Sequence, residues 1–324
     1  METHLKKMKP AFSVVIPTFN RARTLRSTLD SVIAQTFGDF EVLVMDDGSN
    51  DGTEEVVRSY GDRRIRYEWA SNSGGPATPR NRGIEAARAD WICFLDADDR
   101  WHEGKLKTVS EVIAAIPALD LVCHHEILSI LATGSKIQLK HGPFETDFYR
   151  VMLMLGNRVS TSAVSVRRDF LNKHGLRFNQ SPDYVIVEDY DLWLRVALHD
   201  GAFYFISEYL GEYVIADDNL SSNSERIQRN HLVLLHDHVY KVQSFQPDKD
   251  RLWREIKAGL LITKSKQLFA KKQFVVGAKS LVLAFCGSFV GSIRYICLQT
   301  SKKRFASKPR TNRDYKRSSL CRSR

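Results

Sequence analysis

The sequence predicts an α/β protein, a mostly parallel, doubly wound sheet followed by a helical carboxyl-terminal subdomain. Three observations carry that expectation. Strand-like and helix-like segments alternate over roughly the first 115 residues. Two apolar runs, residues 40–45 and 91–95, end abruptly in acids, at Asp46-Asp47 and at Asp96-Ala97-Asp98-Asp99. From about Asn223 the pattern turns helical.

Each element follows from its local pattern. Residues 12–16, Phe-Ser-Val-Val-Ile, read as a first strand that Pro17 stops. Residues 22–35 place Leu25, Leu29, Val32 and Ile33 on one helical stripe. Residues 40–45 form the second strand, 53–60 a helix, 64–69 a strand and 77–88 a helix rich in small residues. Residues 91–95 form a buried strand and 102–115 a helix. Such alternation implies parallel strands with right-handed crossovers. The pattern then becomes mixed. A strand is expected at 119–123, a hairpin over 126–140, a helix at 148–155 and a strand at 160–166. An amphipathic helix follows at 188–198 and a strand at 202–206. Helices are expected at 223–245, 249–270 and 272–298. The organisation is therefore a polar segment over 1–10, a main domain over 11–222, a helical subdomain over 223–300 and a basic, disordered tail over 301–324.

Charge and cysteines narrow the function classes. The chain has 324 residues and a net charge of +10. Ten Lys/Arg fall between Lys302 and Arg324, against Asp314 alone. The basicity belongs to the tail, and the near-neutral remainder speaks against a nucleic-acid-binding protein. Five scattered cysteines without CxxC spacing fit a reducing compartment and argue against a structural zinc site. The first ten residues lack the apolar core of a secretory signal. The apolar stretch at 280–293 is shorter than the ~20 residues of a spanning helix. A cytoplasmic location follows. The tail beside the apolar stretch could hold the protein against the anionic inner face of a membrane, or could simply be a solubilising extension.

The acids define the candidate site. An apolar run ending in carboxylates puts them at the carboxyl end of a strand, where open α/β sheets bind ligands. Aspartates converging there need a cation or donor groups to offset their repulsion. Asp96-Ala97-Asp98 is a D-x-D pattern, and hard divalent cations take one or two carboxylates plus substrate phosphates. Asp46 and Asp47 close the second strand. With Gly48-Ser49 they could equally turn the chain and cap the next helix. Arg80 could give its planar donor fork to a diphosphate, or be an exposed helix arginine. Glu188 and Asp189 could favour a helix amino terminus, with Asp191 and Arg195 as an i,i+4 pair.

Five motifs in order add a family resemblance. Val14-Val15-Ile16-Pro17-Thr18-Phe19-Asn20-Arg21 comes first, then Val44-Met45-Asp46-Asp47-Gly48-Ser49 and Pro79-Arg80-Asn81-Arg82-Gly83. Phe94-Leu95-Asp96-Ala97-Asp98-Asp99 and Glu188-Asp189-Tyr190-Asp191-Leu192-Trp193 follow. Over about residues 12–222 the chain resembles the family 2 glycosyltransferases, which have the GT-A fold. That resemblance implies an inverting hexosyl-type transferase that uses a nucleotide sugar, expected to be UDP-linked. Pro17, Phe19, Asp46, Asp47, Arg80 and Asp96 would line the donor site, with Asp46 or Asp47 on the uracil. Asp98 would hold Mg²⁺ or Mn²⁺. Asp189, rather than Glu188, would be the general base. The carboxyl-terminal apolar segment and basic tail, rather than the resemblance, point to a glycan or lipid-linked acceptor hydroxyl, in cell-envelope or exopolysaccharide synthesis.

One departure stands against the resemblance. Many relatives carry Tyr-Arg-x-His after the last sheet strand, whereas this chain has Tyr213-Val214-Ile215-Ala216. Asp217 or Asp218 could replace a ligand there but cannot neutralise a phosphate. A catalytically inactive relative that binds nucleotide sugar or glycan is therefore the alternative reading.

Overall fold

A computed structural model of the protein describes residues 9–215 and 224–305. The chain divides into two compact units. The first takes the chain to Phe144 together with Arg158–Asn230. The second takes Glu145–Asn157 and the chain from His231.

Among the described residues, the first unit is built on a nine-stranded sheet. Its amino-terminal half is β1 (Phe12–Thr18), α1 (Ala22–Ile33), β2 (Phe40–Asp46), α2 (Thr53–Arg58), β3 (Ile65–Trp69), α3 (Ala77–Ala86) and β4 (Trp91–Phe94). Strand β1 lies between β2 and β4, β3 flanks β2, and all these pairings are parallel. Every residue of β1, β2 and β4 is buried, as expected of strands covered on both faces. Strand β1 runs past Pro17 rather than stopping before it. Its pairing with β4 ends at Val15, so the missing N–H of Pro17 breaks no ladder on that side.

The remaining strands are β5 (Arg100–Trp101), β6 (Leu121–Ile130), β7 (Ser135–Leu139), β8 (Val164–Arg167) and β9 (Phe203–Ile215). Strand β8 is antiparallel to both β4 and β6, whereas β6 and β9 are parallel. The helices of this half are α4 (Lys105–Ala115), α6 (Arg168–Lys173) and α7 (Glu188–Leu198). Two local differences from the expected elements have clear causes. Helix α4 starts at Lys105, not at 102, because Arg100 and Trp101 pair with Glu212 and Gly211 of β9. Helix α3 stops at Ala86 because Arg88 turns back to Glu41. Its backbone N–H and Nε each donate to the Glu41 carboxylate at 2.8 Å. Burial pushes that carboxyl up, but the Arg88 and Ser13 contacts outweigh it and hold Glu41 below its ordinary range.

Helix α3 lies close on the sheet because Gly83 has no side chain. A Cβ there would stand 2.3 Å from Val15 Cγ1. Gly83→Ala is expected to cost about 1–3 kcal/mol by overpacking, read as a lower urea midpoint. An unchanged midpoint would show that β1 and α3 can separate freely.

The second unit contains α5 (Phe148–Leu155), the part of α8 (Ser224–Asp237) from His231, a π-helical turn at His238–Val242, α9 (Lys249–Ala270), α10 (Phe274–Gly287) and α11 (Phe289–Phe305). Its core joins Ala258, Ile262, Ala284 and Tyr295. Helix α5, placed in the main domain from sequence, belongs to this unit. The expected continuous helix over 272–298 is broken at Ser288, whose backbone is extended (φ −162°, ψ 97°). Ser288 Oγ then accepts the Gly291 N–H. Helix α11 also reaches Phe305, so the first residues assigned to the tail are helical, and residues 306–324 lie outside the described part.

Candidate active site

The carboxyl ends of β1, β2 and β4 meet at one edge of the sheet, and the loops leaving them are tied to one another. Asn20, in the left-handed region at φ +51°, donates its N–H to Ser49 Oγ at 2.8 Å. Its side-chain oxygen accepts the Asn50 N–H at 3.0 Å. The loop after β2 meets the loop after β3 at Gly48, where a Cβ would lie 2.7 Å from Asn72 N and φ is +92°. Phe19 is exposed at this edge, whereas Pro17 and Thr18 are buried.

Asp46 and Asp47 are both buried, and both are engaged. Asp46 accepts from the Ser49 N–H at 2.8 Å and from Tyr67 Oη at 2.7 Å. Burial first, and then the bond to Asp46, raises the Tyr67 phenol, so it remains a donor. Asp47 accepts from the Ser73 N–H at 3.0 Å and the Ser73 hydroxyl at 2.8 Å. The two aspartates therefore pin the loops after β2 and β3. Arg82 adds to this by donating to the carbonyls of Asp46 and Glu68.

The residues after β4 separate into two kinds. Asp96 and Asp98 are half-buried, whereas Asp99 is fully buried. Asp99 accepts from Ser162 Oγ at 2.5 Å and from the Val214 N–H at 2.8 Å. Burial, with the charges of Asp96, Asp98 and Glu126, pushes the Asp99 carboxyl well above its ordinary range. Asp99 is thus a brace that fixes the acidic turn against the segment at Thr161–Ala163 and against β9. Val214, where the family resemblance leads one to expect arginine, serves this brace through its backbone. Ala216, Asp217 and Asp218 lie outside the described residues.

Arg80 joins the two acidic motifs. It is 4 % exposed, and its two terminal nitrogens donate to Glu188 Oε1 and Asp96 Oδ1, each at 2.6 Å. The guanidinium also lies over the Phe178 ring, 5.2 Å from its centroid. Asn81 fixes that phenylalanine, exchanging two hydrogen bonds of 2.8 Å with the Phe178 backbone. This arginine is not the exposed helix residue that one sequence reading allowed. Buried ion pairs need excellent geometry to offset desolvation, and here one planar cation serves two separate carboxylates.

Glu188 and Asp189 open helix α7. Asp189 is half-buried and accepts from Thr161 Oγ1 at 3.0 Å and from the Tyr190 N–H at 2.6 Å. Burial raises its pKa, Arg80 pulls it back, and the Asp96 charge adds to the rise. Glu188 is also raised, chiefly by burial, against the pull of Arg80. Just ahead of them, Ile186 has φ +77°. A β-branched residue in that region is strained, and such strain persists where neighbours over-determine the backbone. Here Asn230 Nδ2 holds the Val185 carbonyl at 2.9 Å. Asp191 and Arg195 form the expected i,i+4 pair.

The candidate residues differ in what they offer a cation. Among the described residues no three His, Cys, Asp or Glu side chains gather into a metal-binding group. Asp96 and Asp98 are oxygen donors at the strand end, with one Asp96 oxygen committed to Arg80. That set fits a cation whose coordination is completed by substrate phosphates, and does not fit an all-protein cage. Sequence reasoning missed Tyr67, Ser73, Thr161, Ser162 and the bracing role of Asp99. Only Asp99 carried a signal, as the third acid of its motif. The others are ordinary hydroxyl residues whose importance appears only when distant segments meet.

A mostly parallel sheet with acidic loops at the carboxyl ends of β2 and β4, and an acidic pair opening α7, is the arrangement of a GT-A glycosyltransferase. The chain belongs to glycosyltransferase family 2. The family model described as glycosyl transferase family 2 matches residues 13–159. The chain is 30 % identical over 213 residues to the amylovoran biosynthesis glycosyltransferase AmsB of Erwinia amylovora, covering 63 % of this chain and 69 % of that one. It is 26 % identical over 212 residues to WfgD of Escherichia coli, a UDP-Glc:alpha-D-GlcNAc-diphosphoundecaprenol beta-1,3-glucosyltransferase, covering 65 % and 79 %. Among solved structures, S. aureus TarS 1-349 in complex with UDP-GlcNAc superposes with a TM-score of 0.58 at 19 % identity, covering 92 % of each chain. The mannosyltransferase PcManGT of Pyrobaculum calidifontis, in complex with GDP-Man and Mn²⁺, gives 0.56 at 17 % identity, covering 97 % and 84 %.

Proposed function

We propose that the protein transfers a hexose from a UDP-sugar to a hydroxyl of a lipid-linked glycan, with inversion, in cell-envelope or exopolysaccharide synthesis. The observation that carries this reading is the Arg80 bridge, which sets the Asp96 turn and the Glu188-Asp189 pair at a fixed separation. Donor chemistry belongs to the first motif and acceptor chemistry to the second, so a single displacement needs both in register. The lipid-linked acceptor and UDP donor are supported by WfgD, whose name states both. TarS adds support for UDP, although PcManGT, with GDP-Man, shows that the fold also accepts another nucleotide.

In this reading the uracil and ribose lie over the loops that Asp46, Asp47 and Phe19 shape, with Pro17 beneath. Asp96 faces the ribose side. Asp98 would hold Mg²⁺ or Mn²⁺ together with the donor phosphates, which would supply charge neutralisation for the leaving diphosphate. Asp189 accepts the proton of the acceptor hydroxyl as its oxygen attacks the anomeric carbon. The bond to the diphosphate breaks on the opposite face, so the configuration inverts. A second carboxylate nucleophile is not required, in contrast to retaining hydrolases. Thr161 and the Tyr190 N–H aim the Asp189 carboxylate. Raising its pKa brings it nearer to working pH, which suits a general base. The enzyme works in the cytoplasm, at the inner face of the membrane that holds its acceptor.

Asp98→Ala is the direct test of the donor half. Calorimetry with UDP and Mn²⁺ is expected to show Mn²⁺-dependent affinity at least tenfold weaker, about 1.4 kcal/mol or more. Metal-independent affinity should stay within twofold. If the variant keeps its full Mn²⁺-dependent affinity, Asp98 is not the metal ligand. A variant that binds normally while the wild type releases no sugar from any donor would favour the inactive, binding-only relative.

A further inference from the structure

Helix α10 and the first turn of α11 are packed inside out for a water-facing protein. The residues that α10 buries are small: Gly277, Ser280 and Ala284. Leu281 packs against the core of the unit, but most of the other bulky apolar residues of α10 face outward, and Phe274 and Val275 are 63 % and 84 % exposed. On α11, Phe289 and Val290 are 66 % and 57 % exposed, while Gly291 meets α9 so closely that a Cβ would lie 2.8 Å from Glu255 Cα. Small residues at helix contacts and large apolar ones outside are the pattern of helices that face lipid. Scattered exposed apolar residues are normal, but so many on two consecutive helices mark an interaction surface.

Charge selects the occupant. Residues 271–324 hold fourteen Lys/Arg and one acid, Asp314, and residues 271–305 hold none. Lys271, Lys272 and Lys279 are exposed on α10 and the turn before it. A second copy seated face to face would bring this positive charge against itself, because a twofold interface joins like surfaces. An anionic bilayer instead offers hydrocarbon to the valines and phenylalanines and phosphate to the lysines. No single described helix is long and apolar enough to cross a membrane. The pair Phe274–Gly287 and Phe289–Cys297 is bent by 112° at its break, which suits lying along one leaflet better than traversing it.

We propose that the outward face of α10 and α11 is a monotopic anchor seated in the surface of an anionic bilayer. It deepens the lipid-linked acceptor reading, since an enzyme held at the bilayer meets its acceptor in two dimensions. The test is co-sedimentation of the full chain with vesicles of phosphatidylcholine containing about one third phosphatidylglycerol. The variants are Val275→Asp, Val275→Asp/Val290→Asp, and a chain lacking residues 306–324. Both valines are exposed, so circular dichroism should match the wild type. Wild type is expected to bind at low salt and to retain part of its binding at about 0.5 M salt, where charge attraction is screened. The double variant should bind at least tenfold more weakly at both, the single variant less so, and the truncated chain should lose mainly the salt-sensitive part. UDP affinity, measured in parallel, should not change. Equal vesicle binding by the double variant, or none by wild type, would overturn the anchor. A wild-type dimer in light scattering that the double variant converts to monomer, with no vesicle binding by either, would give the face to a second copy. Absent UDP binding with intact vesicle binding would overturn the donor reading and leave the anchor standing.

Discussion

Asp189→Asn is expected to lower the transfer rate by about 10²–10⁴-fold while leaving UDP affinity within twofold. The substitution keeps the side chain's size; its one oxygen can still accept from the Tyr190 N–H, and its amide NH₂ can donate to Thr161 Oγ1 in place of the bond that hydroxyl now donates. What it removes is the capacity to take a proton. The loss should therefore fall on kcat, with donor KM nearly unchanged. The pH profile gives a second readout. Burial raises both carboxyls at the start of α7, so each takes up its proton at a higher pH than an exposed carboxylate does. A base works only when deprotonated, so wild-type activity should fall on acidification at a pH above the usual carboxylate range. Glu188→Gln removes a neighbouring negative charge, so this acid limb should move to lower pH. If Glu188→Gln is instead the inactive variant and Asp189→Asn transfers normally, the roles are reversed.

The different fates of these residues show what a sequence can disclose. Strands β1, β2 and β4 were legible because burial on both faces makes each a continuous apolar run. The acids that close them were legible because a charge at the end of such a run is abrupt. The family motifs placed Asp96, Asp98, Glu188 and Asp189 in order. What could not be read was which acid spends itself on structure. Asp98 and Asp99 are neighbours of the same type, yet the turn sends Asp99 inward to Ser162 and Val214. Those partners lie 63 and 115 residues away, and no local pattern encodes them. Strand β5 was missed because two residues carry no periodicity. The break at Ser288 was missed because Gly287 and Gly291 fit both a helix contact and a helix end.

Arg80 is the clearest case of a role that only tertiary contact reveals, and it carries the largest expected loss of stability. Arg80→Ala should cost about 3–5 kcal/mol, because it leaves Glu188 buried without its counter-charge. Urea unfolding would read this directly. Arg80→Lys separates the two duties of the residue. It retains the cation, so most of the stability should return. An ammonium is a point charge on a flexible stem and cannot hold two carboxylates through a rigid fork. The Asp96 turn and the start of α7 should then lose their register, and kcat should fall tenfold or more while UDP affinity stays nearly constant. If Arg80 instead grips the donor diphosphate, Arg80→Lys should raise donor KM and weaken UDP binding with kcat little changed. A lysine variant that keeps wild-type kcat and KM would reduce Arg80 to holding the fold, since only the fork geometry differs between the two side chains at that site.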